Sequence, residues 1–474
     1  MKASHKAVIK SFSYSAAANL VSAIVSGVLV LIVPKLLDTT NYGYWQFSLF
    51  LGTYVGYFHF GLADGVYLRY GGIDYNKLDK KNLFSQFWFL FFMEIVVAIC
   101  IIGISWLIEP NADKKLLFLV FAFSCILQLP ATYLRLILQT TGRVEVYAKN
   151  ILVEKLSYGL FVIGLLLIRK DYKILLIADI LSKIVSLVQI TIRCNDIVII
   201  KGYIINWKST LKEAYENLNI GSKLLIANLS SALIVGIIRI IIENVWSIEI
   251  FGKISLTLNV SSLLMILINA VSVVMFPLLK RMKEEEWSNN YQILNLILLV
   301  LSFTMLLCFF PLKLIFDAWL PNYREGLKYM AILFPMCIYE GKTSMLLNTY
   351  LKALRKEKQL LFINVISLLV SCALSSISAF ILHNLSLTVI SIVISLCIRC
   401  LLAEFVLSKY IEFDCRKNLI IELLIPLIFI TSNWCFTMGV AFVIYLLVYL
   451  IYLYYMKNEL KKLNLFAKKI FNQN

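Results

Sequence analysis

"ANLVSAIVSG" occupies positions 18–27, and "ANLSSALIVG" occupies positions 227–236. Six of the ten positions are identical, and the offset is 227 − 18 = 209 residues. The match resumes without a gap further on, where "YGYW" at 42–45 stands 209 residues before "FGKI" at 251–254. An apolar stretch that keeps its polar Asn and its aromatic-Gly in one register reads as an internal duplication. Asn19 then corresponds to Asn228, and Gly43 to Gly252.

The rest of the chain says where such a duplication lives. Of 474 residues, 60% are hydrophobic and 15% charged. A soluble domain is about half apolar and a quarter charged, so the excess must face lipid. Apolar runs of spanning length occur at about 14–36, 44–62, 83–107, 116–138, 150–168, 174–192, 223–242, 254–277, 291–315, 328–350, 359–382, 387–407, 419–432 and 436–455. The runs lack the alternation of a lipid-facing barrel. The predicted class is an all-α integral membrane protein of about fourteen helices. Span thirteen is short and carries Glu422 and Pro426, so a re-entrant hairpin of the last two runs is an alternative.

The first copy of the repeat opens span one and the second opens span seven. Six spans separate them, so both copies run the same way through the membrane. Such parallel repeats build the paired bundles of transporters. The expected organisation is an N-lobe of spans one to six (1–200), a cytoplasmic linker (201–222) and a C-lobe of spans seven to twelve (223–410), followed by spans thirteen and fourteen with a basic tail (411–474). The two lobes are expected to superpose by rotation about the membrane normal.

The net charge of +17 would suggest nucleic acid in a soluble protein. In this chain the Lys and Arg gather in alternate loops, as the positive-inside rule requires, and both termini are expected in the cytoplasm. Membrane lipids are the bland partner for these charges, and nucleic acid is excluded. No loop is long enough for a soluble catalytic domain. Most of the ten Cys lie within spans, "CIRC" at 397–400 has no second Cys pair, and the three His are scattered. No metal and no cofactor is expected. Without a nucleophile–base pair or a phosphate-binding Gly loop, the chain reads as a non-enzyme.

Ionisable residues far from span ends carry the functional signal, because each costs about 2.5–3.5 kcal/mol on insertion scales. Glu94, Asp179, Lys183, Glu340, Lys342 and Arg399 fall near span centres. Asp179 with Lys183, and Arg239 with Glu243, have the i,i+4 spacing of a neutralising pair on one helix face. Glu340 and Lys342 point to different faces.

Three stretches resemble the Wzx-type polysaccharide flippases of the multidrug/oligosaccharidyl-lipid/polysaccharide exporter (MOP) superfamily. Residues 31–72, "LIVPKLLDTTNYGYWQFSLFLGTYVGYFHFGLADGVYLRYGG", are similar to that family's first hairpin. Residues 138–159, "LQTTGRVEVYAKNILVEKLSYG", and 237–260, "IIRIIIENVWSIEIFGKISLTLNV", are similar to its span four-to-five link and its span seven-to-eight hairpin. The family often carries Asp-Arg in span seven; Arg239 stands, and Ile238 replaces the acid.

The resemblance implies a flippase that moves an undecaprenyl-diphosphate-linked oligosaccharide from the inner to the outer leaflet of a bacterial plasma membrane by alternating access. A glycan polymerase and a chain-length regulator are the implied protein partners. Arg holds a diphosphate in bidentate fashion, so the expected substrate contacts are Arg239 and Arg69, then Lys253, Arg135 and Lys342, with Asn19 and Asn228 toward the sugar. Tyr54, Tyr57, Tyr67 and Ser231 are weaker candidates for the lining. Glu94, Glu340 and Asp179 are the candidates for ion coupling. Two negative charges moving outward gain about 4–5 kcal/mol from a potential of about 100 mV, so a potential alone suffices. The alternatives are a lipid II flippase and a drug or cation antiporter of the same superfamily; the latter expects twelve spans and a cavity rich in acids.

The charge bias generates a topology test. Reporter fusions after Lys212 and after Asn474 should both show cytoplasmic activity, and periplasmic activity at either point would overturn the arrangement.

Overall fold

A computed structural model of the chain describes residues 2–279, 287–413, 416–457 and 459. Among them there are helices and no strands. A backbone in hydrocarbon must satisfy its own polar groups, which a helix does locally. The main helices are α1 (Lys2–Leu36), α2 (Thr39–Gly52), α3 (Leu62–Arg69), α4 (Lys80–Ile108), α5 (Ala112–Thr140), α6 (Val144–Leu166), α7 (Tyr172–Arg193) and α8 (Trp207–Val245). They continue with α9 (Ile248–Leu279), α10 (Trp287–Leu307), α11 (Phe309–Trp319), α12 (Met336–Lys342), α13 (Glu357–Ser376), α14 (Leu385–Ile411), α15 (Arg416–Cys435) and α16 (Met438–Tyr455). The sequence marks several starts. Asp38, Asp79, Asn111, Asp171 and Asn384 each accept a hydrogen bond from an N–H of the first turn they precede. Large apolar side chains such as Leu107, Leu160 and Leu167 stand exposed on the outside, as a lipid-facing surface requires.

Nine helices among the described residues are long and apolar enough to cross a membrane. The fourteen unbroken spans expected from hydropathy are not all continuous. Span two is split between α2 and α3 by a glycine-rich break, in which Phe60 and Gly61 take positive φ and the Gly61 N–H donates to His59 Nδ1. Span ten is a chain of short helices: 330–333, α12 beginning just after Pro335, a π-helical turn at Thr343–Leu347, and 348–353. Span seven is instead longer than expected. The amphipathic "WKSTLKEAYENL" joins it in the single 39-residue helix α8. The run around Pro426 forms α15, and two residues separate it from α16. Most of the basic tail lies outside the described residues.

The chain divides into two compact units. The first comprises 1–229 and 248–252, the second 230–247 and 253–474. In the first unit α1 packs on α6, α6 on α7, and α4 on α5. Its core gathers Leu62, Val66, Phe87, Tyr133, Leu134 and Ile190. Three loops that the charge bias assigns to one side meet at Tyr75. Its hydroxyl donates to Asp196 Oδ1 at 2.8 Å, and its ring lies between Lys80 Nζ at 3.2 Å and Arg143 Cζ at 3.6 Å. In the second unit aromatic edges tie α10 and α11 to α15 and α16, with Phe309–Phe429 and Phe429–Tyr445 centroids both 5.1 Å apart. The Tyr445 hydroxyl donates to the Phe303 carbonyl at 2.7 Å.

Within the first unit, the segments that the sequence pattern pairs at the 209-residue offset touch. Thr40 Oγ1 donates to Glu249 Oε1 at 2.8 Å, and these positions are 209 apart in sequence. A Cβ on Gly252 would lie 2.8 Å from Gly43 Cα, again at an offset of 209. A second backbone seam joins α3 to α8. A Cβ on Gly61 would lie 2.5 Å from Ser222 N, and one on Gly65 would overlap the Asn217 carbonyl.

The seam generates a paired prediction. Gly65→Ala should lower the melting midpoint of the purified protein by several degrees, because neither backbone has room to retreat. Gly103→Ala, in α4 with nothing within 4 Å, should leave it unchanged or raise stability by about 1 kcal/mol. Equal effects at the two positions would show that the seam is not the constraint.

Candidate functional site

In the first unit, polar side chains from α5, α6 and α7 form a belt inside the bundle. Arg135 Nη1 is 2.7 Å from Glu154 Oε2, which also accepts from Ser186 Oγ at 2.9 Å. Asn150 extends the belt by donating to the Ser186 carbonyl and to Gln189 Oε1. Lys183 Nζ donates to Asp179 Oδ2 at 2.6 Å and to Ser124 Oγ at 2.8 Å. The i,i+4 spacing of Asp179 and Lys183 thus makes the neutralising pair that helical geometry allows. Glu94 on α4 is fully buried, and neither carboxyl oxygen has a hydrogen-bond partner among the described residues.

Arg69 ends α3 with its guanidinium fork turned toward α8. Nη1 is 2.8 Å from both Glu213 Oε2 and Asn217 Oδ1, and Nη2 is 3.2 Å from Glu216 Oε2. Beside the glycine seam, this fork holds one turn of α8 by three side chains. Asn19 on α1 and Asn228 on α8 are exposed, and the Asn228 carbonyl accepts from Tyr57 Oη at 3.3 Å. The Tyr54 and Tyr57 rings lie 6.1 Å apart.

The second unit holds two separate networks. The first centres on Arg399 of α14. It donates from Nε to Asn364 Oδ1 at 3.1 Å, from Nη1 to Glu340 Oε2 at 3.1 Å and from Nη2 to Ser231 Oγ at 2.8 Å. One guanidinium therefore ties α8, α12, α13 and α14. Its own side chain is 3% exposed while that of Glu340 is 35% exposed, so the network opens through the carboxylate. The second centres on Lys342, whose ammonium is 2.7 Å from Glu404 Oε2 and 2.5 Å from Glu422 Oε1. All three of these side chains are 1% exposed. Removing one partner from a pair as buried as this costs about 3–5 kcal/mol.

The remaining expected contacts are peripheral to these networks. Arg239 is half-buried on α8 and donates to Ser255 Oγ at 2.9 Å, one position after a fully buried Ile238. Lys253 lies 2.7 Å from Glu325 Oε2, and its hydrogen bond holds that loop carboxyl below the usual glutamate range. Of the expected cations, Arg69, Arg239, Lys253 and Arg135 keep part of their surface open, and Lys342 is sealed. Arg399 was not among the expected contacts, although its midspan position was the available signal. Glu404 was missed because it lies toward the end of an apolar run, where hydropathy gives no warning.

A family model described as "Polysaccharide biosynthesis protein" matches residues 73–316, a little over half of the chain. No curated protein sequence matches it. Among solved structures, the chain is similar to the lipid II flippase MurJ in an inward closed conformation, with a TM-score of 0.66 at 14% identity over 95% of this chain and 99% of that one. It is also similar to an inward-facing multidrug resistance MATE family transporter of the MOP superfamily, at TM-score 0.57 and 10% identity over 84% and 96% of the two chains. A eukaryotic MATE transporter aligns at TM-score 0.53 and 11% identity, over 87% and 98%. At such identities the likeness is one of fold. Carrying that fold and an apolar exterior over interior polar networks, this multi-pass membrane protein belongs to the family of polysaccharide biosynthesis proteins.

Proposed function

We propose that the protein is a flippase for an undecaprenyl-diphosphate-linked oligosaccharide. It moves the repeat unit from the inner to the outer leaflet by alternating access, for a surface polysaccharide. The observation that carries this reading is the family match at residues 73–316, found on a fold shared with a lipid II flippase. A polysaccharide-biosynthesis chain with that fold needs a cargo that is both saccharide and membrane-borne. Lipid-linked intermediates meet both conditions.

The residues suit a diphosphate cargo in a specific way. Arg69 and Arg239 present planar guanidinium groups, which grip phosphate oxygens in pairs. Arg69 is held by Glu213 and Glu216, and a diphosphate competes for the same donors. Arg135 and Lys253 are further contacts of this kind, each already resting on one carboxylate. Asn19 and Asn228, exposed on helices that open the two repeats, offer amides to sugar hydroxyls. An inside-negative potential favours outward transfer of the anionic headgroup. Should an ion be coupled as well, Glu94 is the first candidate, since Asp179 and Glu340 already lie in ion pairs.

Lipid II is the second reading, favoured by the MurJ likeness. Expression in cells depleted of their own lipid II flippase separates the two: rescue of growth supports lipid II, and rescue only of a capsule or O-antigen export mutant supports the oligosaccharide.

Arg239 is the test of the contact itself. Arg239→Ala should abolish surface glycan while membrane protein level stays normal, and Arg239→Lys should restore part of it, because charge returns without the planar fork. Export recovered in the double variant Arg239→Ala, Glu243→Ala would instead make Arg239 a neutralising partner and refute its role in substrate binding.

A further inference from the structure

The Lys342 network contains more negative charge than it has cations to balance. Two carboxylates, Glu404 and Glu422, face one ammonium, and all three side chains are 1% exposed. With every group ionised, the site would hold a net −1 out of reach of water, which is strongly unfavourable. Among the described residues, the groups around Glu422 supply no second cation. On α12, Tyr339 donates its hydroxyl to the Glu422 carbonyl at 3.1 Å. On α14 stand Cys397 and Cys400, on α10 Tyr291, and on α16 Tyr452. Every one of them is neutral or acidic.

The hydrogen bonds distinguish the two carboxyls. Glu404 is complete as an anion, since Oε2 takes Lys342 and Oε1 accepts from the Tyr291 hydroxyl at 3.0 Å. Glu422 is not. Oε1 takes Lys342, whereas Oε2 is buried with no hydrogen-bond partner among the described residues. Against it lies the fully buried Asn295 amide, whose NH2 faces the carboxyl too loosely to complete a hydrogen bond and whose oxygen has no partner among the described residues. A buried orphan of this kind calls for a missing partner. One hydrogen on Glu422 Oε2 removes the excess charge. It also makes an O–H that donates to Asn295 Oδ1, once the amide is turned with its oxygen inward, an orientation equivalent in shape.

We propose that Glu422 is a proton-binding site, with Asn295 accepting from the bound proton and the Lys342–Glu404 pair as its fixed counterpart. The proton comes from bulk water and adds no volume, which suits a site closed on all sides by α10, α12, α14 and α16. Glu422 lies on α15, so occupancy of the site governs how firmly α15 stays docked in the second unit. The inference stands whatever molecule the protein transports.

The test uses the full-length protein in lipid nanodiscs. Infrared difference spectra at neutral pH should show the carbonyl stretch of a protonated, unhydrated carboxylic acid. Part of that band should vanish in Glu422→Gln and persist in Glu404→Gln, with Glu94→Gln removing any separate contribution from the first unit. Glu422→Gln mimics the protonated acid and should fold and export normally. A second readout is stability against pH. A proton held only in the folded state makes stability fall as pH rises from the unfolded-state to the folded-state titration, by tenfold in the folding constant per pH unit, and level off above it. Glu422→Gln should reduce that slope by one proton. The proposal is overturned if the band is unchanged in Glu422→Gln, if that variant fails to fold, or if the slope stays the same. A band lost in Glu404→Gln instead also overturns it, as does stability that follows Na⁺ rather than pH, which would assign the orphaned atoms to a metal cation.

Discussion

An ionised side chain inside a bilayer must find its counter-charge within the protein, and this requirement organises the structure. Arg399 draws α8, α12 and α13 onto α14 through Ser231, Glu340 and Asn364. Lys342 draws α14 and α15 onto α12. Apolar packing against lipid-like neighbours gives little orientation, because one greasy face resembles another. Charged and hydrogen-bonded contacts supply the register that packing alone leaves open. Glu340 and Lys342, two residues apart on opposite faces of α12, therefore fix that short helix from both sides.

The first unit meets the requirement differently. Its ionic belt is spread over Arg135, Glu154 and Asp179, each partly exposed, and the buried Lys183. Its tightest contacts are made without side chains, where Gly61 and Gly65 admit the backbone of α8 and Gly43 admits that of α9. The second unit is tied by sealed charges, the first by bare backbone and half-open pairs. A transport reading gains from this contrast. On the proposed function, cations that remain partly open, such as Arg69 and Arg135, would exchange a protein carboxylate for a phosphate, which a sealed ammonium would not.

The membrane class and the buried polar positions are legible in the sequence because each is written locally. Asp179 and Lys183 share one helix face, so their pairing follows from spacing alone. Arg135 with Glu154 and Arg399 with Glu340 join different helices, and no single-helix rule finds such partners. The breaks in spans two and ten escaped hydropathy because an averaged window passes over Gly61 and Pro335. The close approach of Gly43 and Gly252 was not visible, since a repeated word suggests likeness and not proximity. Glu422 stood out in an apolar run, yet its meaning depends on Lys342 and Asn295, which lie far away in sequence.

The π-helical turn at Thr343–Leu347 sets the angular bookkeeping of span ten. In a regular α-helix, Lys342 and Tyr350 are eight positions apart and diverge by about 80° around the axis. A π turn absorbs one residue, which leaves the equivalent of seven positions and a divergence of about 20°. Both side chains are thereby brought to the same neighbour. Lys342 reaches Glu404, which holds the Tyr291 hydroxyl, and the Tyr350 ring meets the Tyr291 ring edge-on with centroids 5.4 Å apart. The widened turn acts as a phase corrector. Chain length here is an informational quantity: deleting one residue within the turn would let a regular helix keep Tyr350 on its partner, whereas straightening the turn with every residue in place would carry Tyr350 away while leaving hydropathy, composition and every charge unchanged.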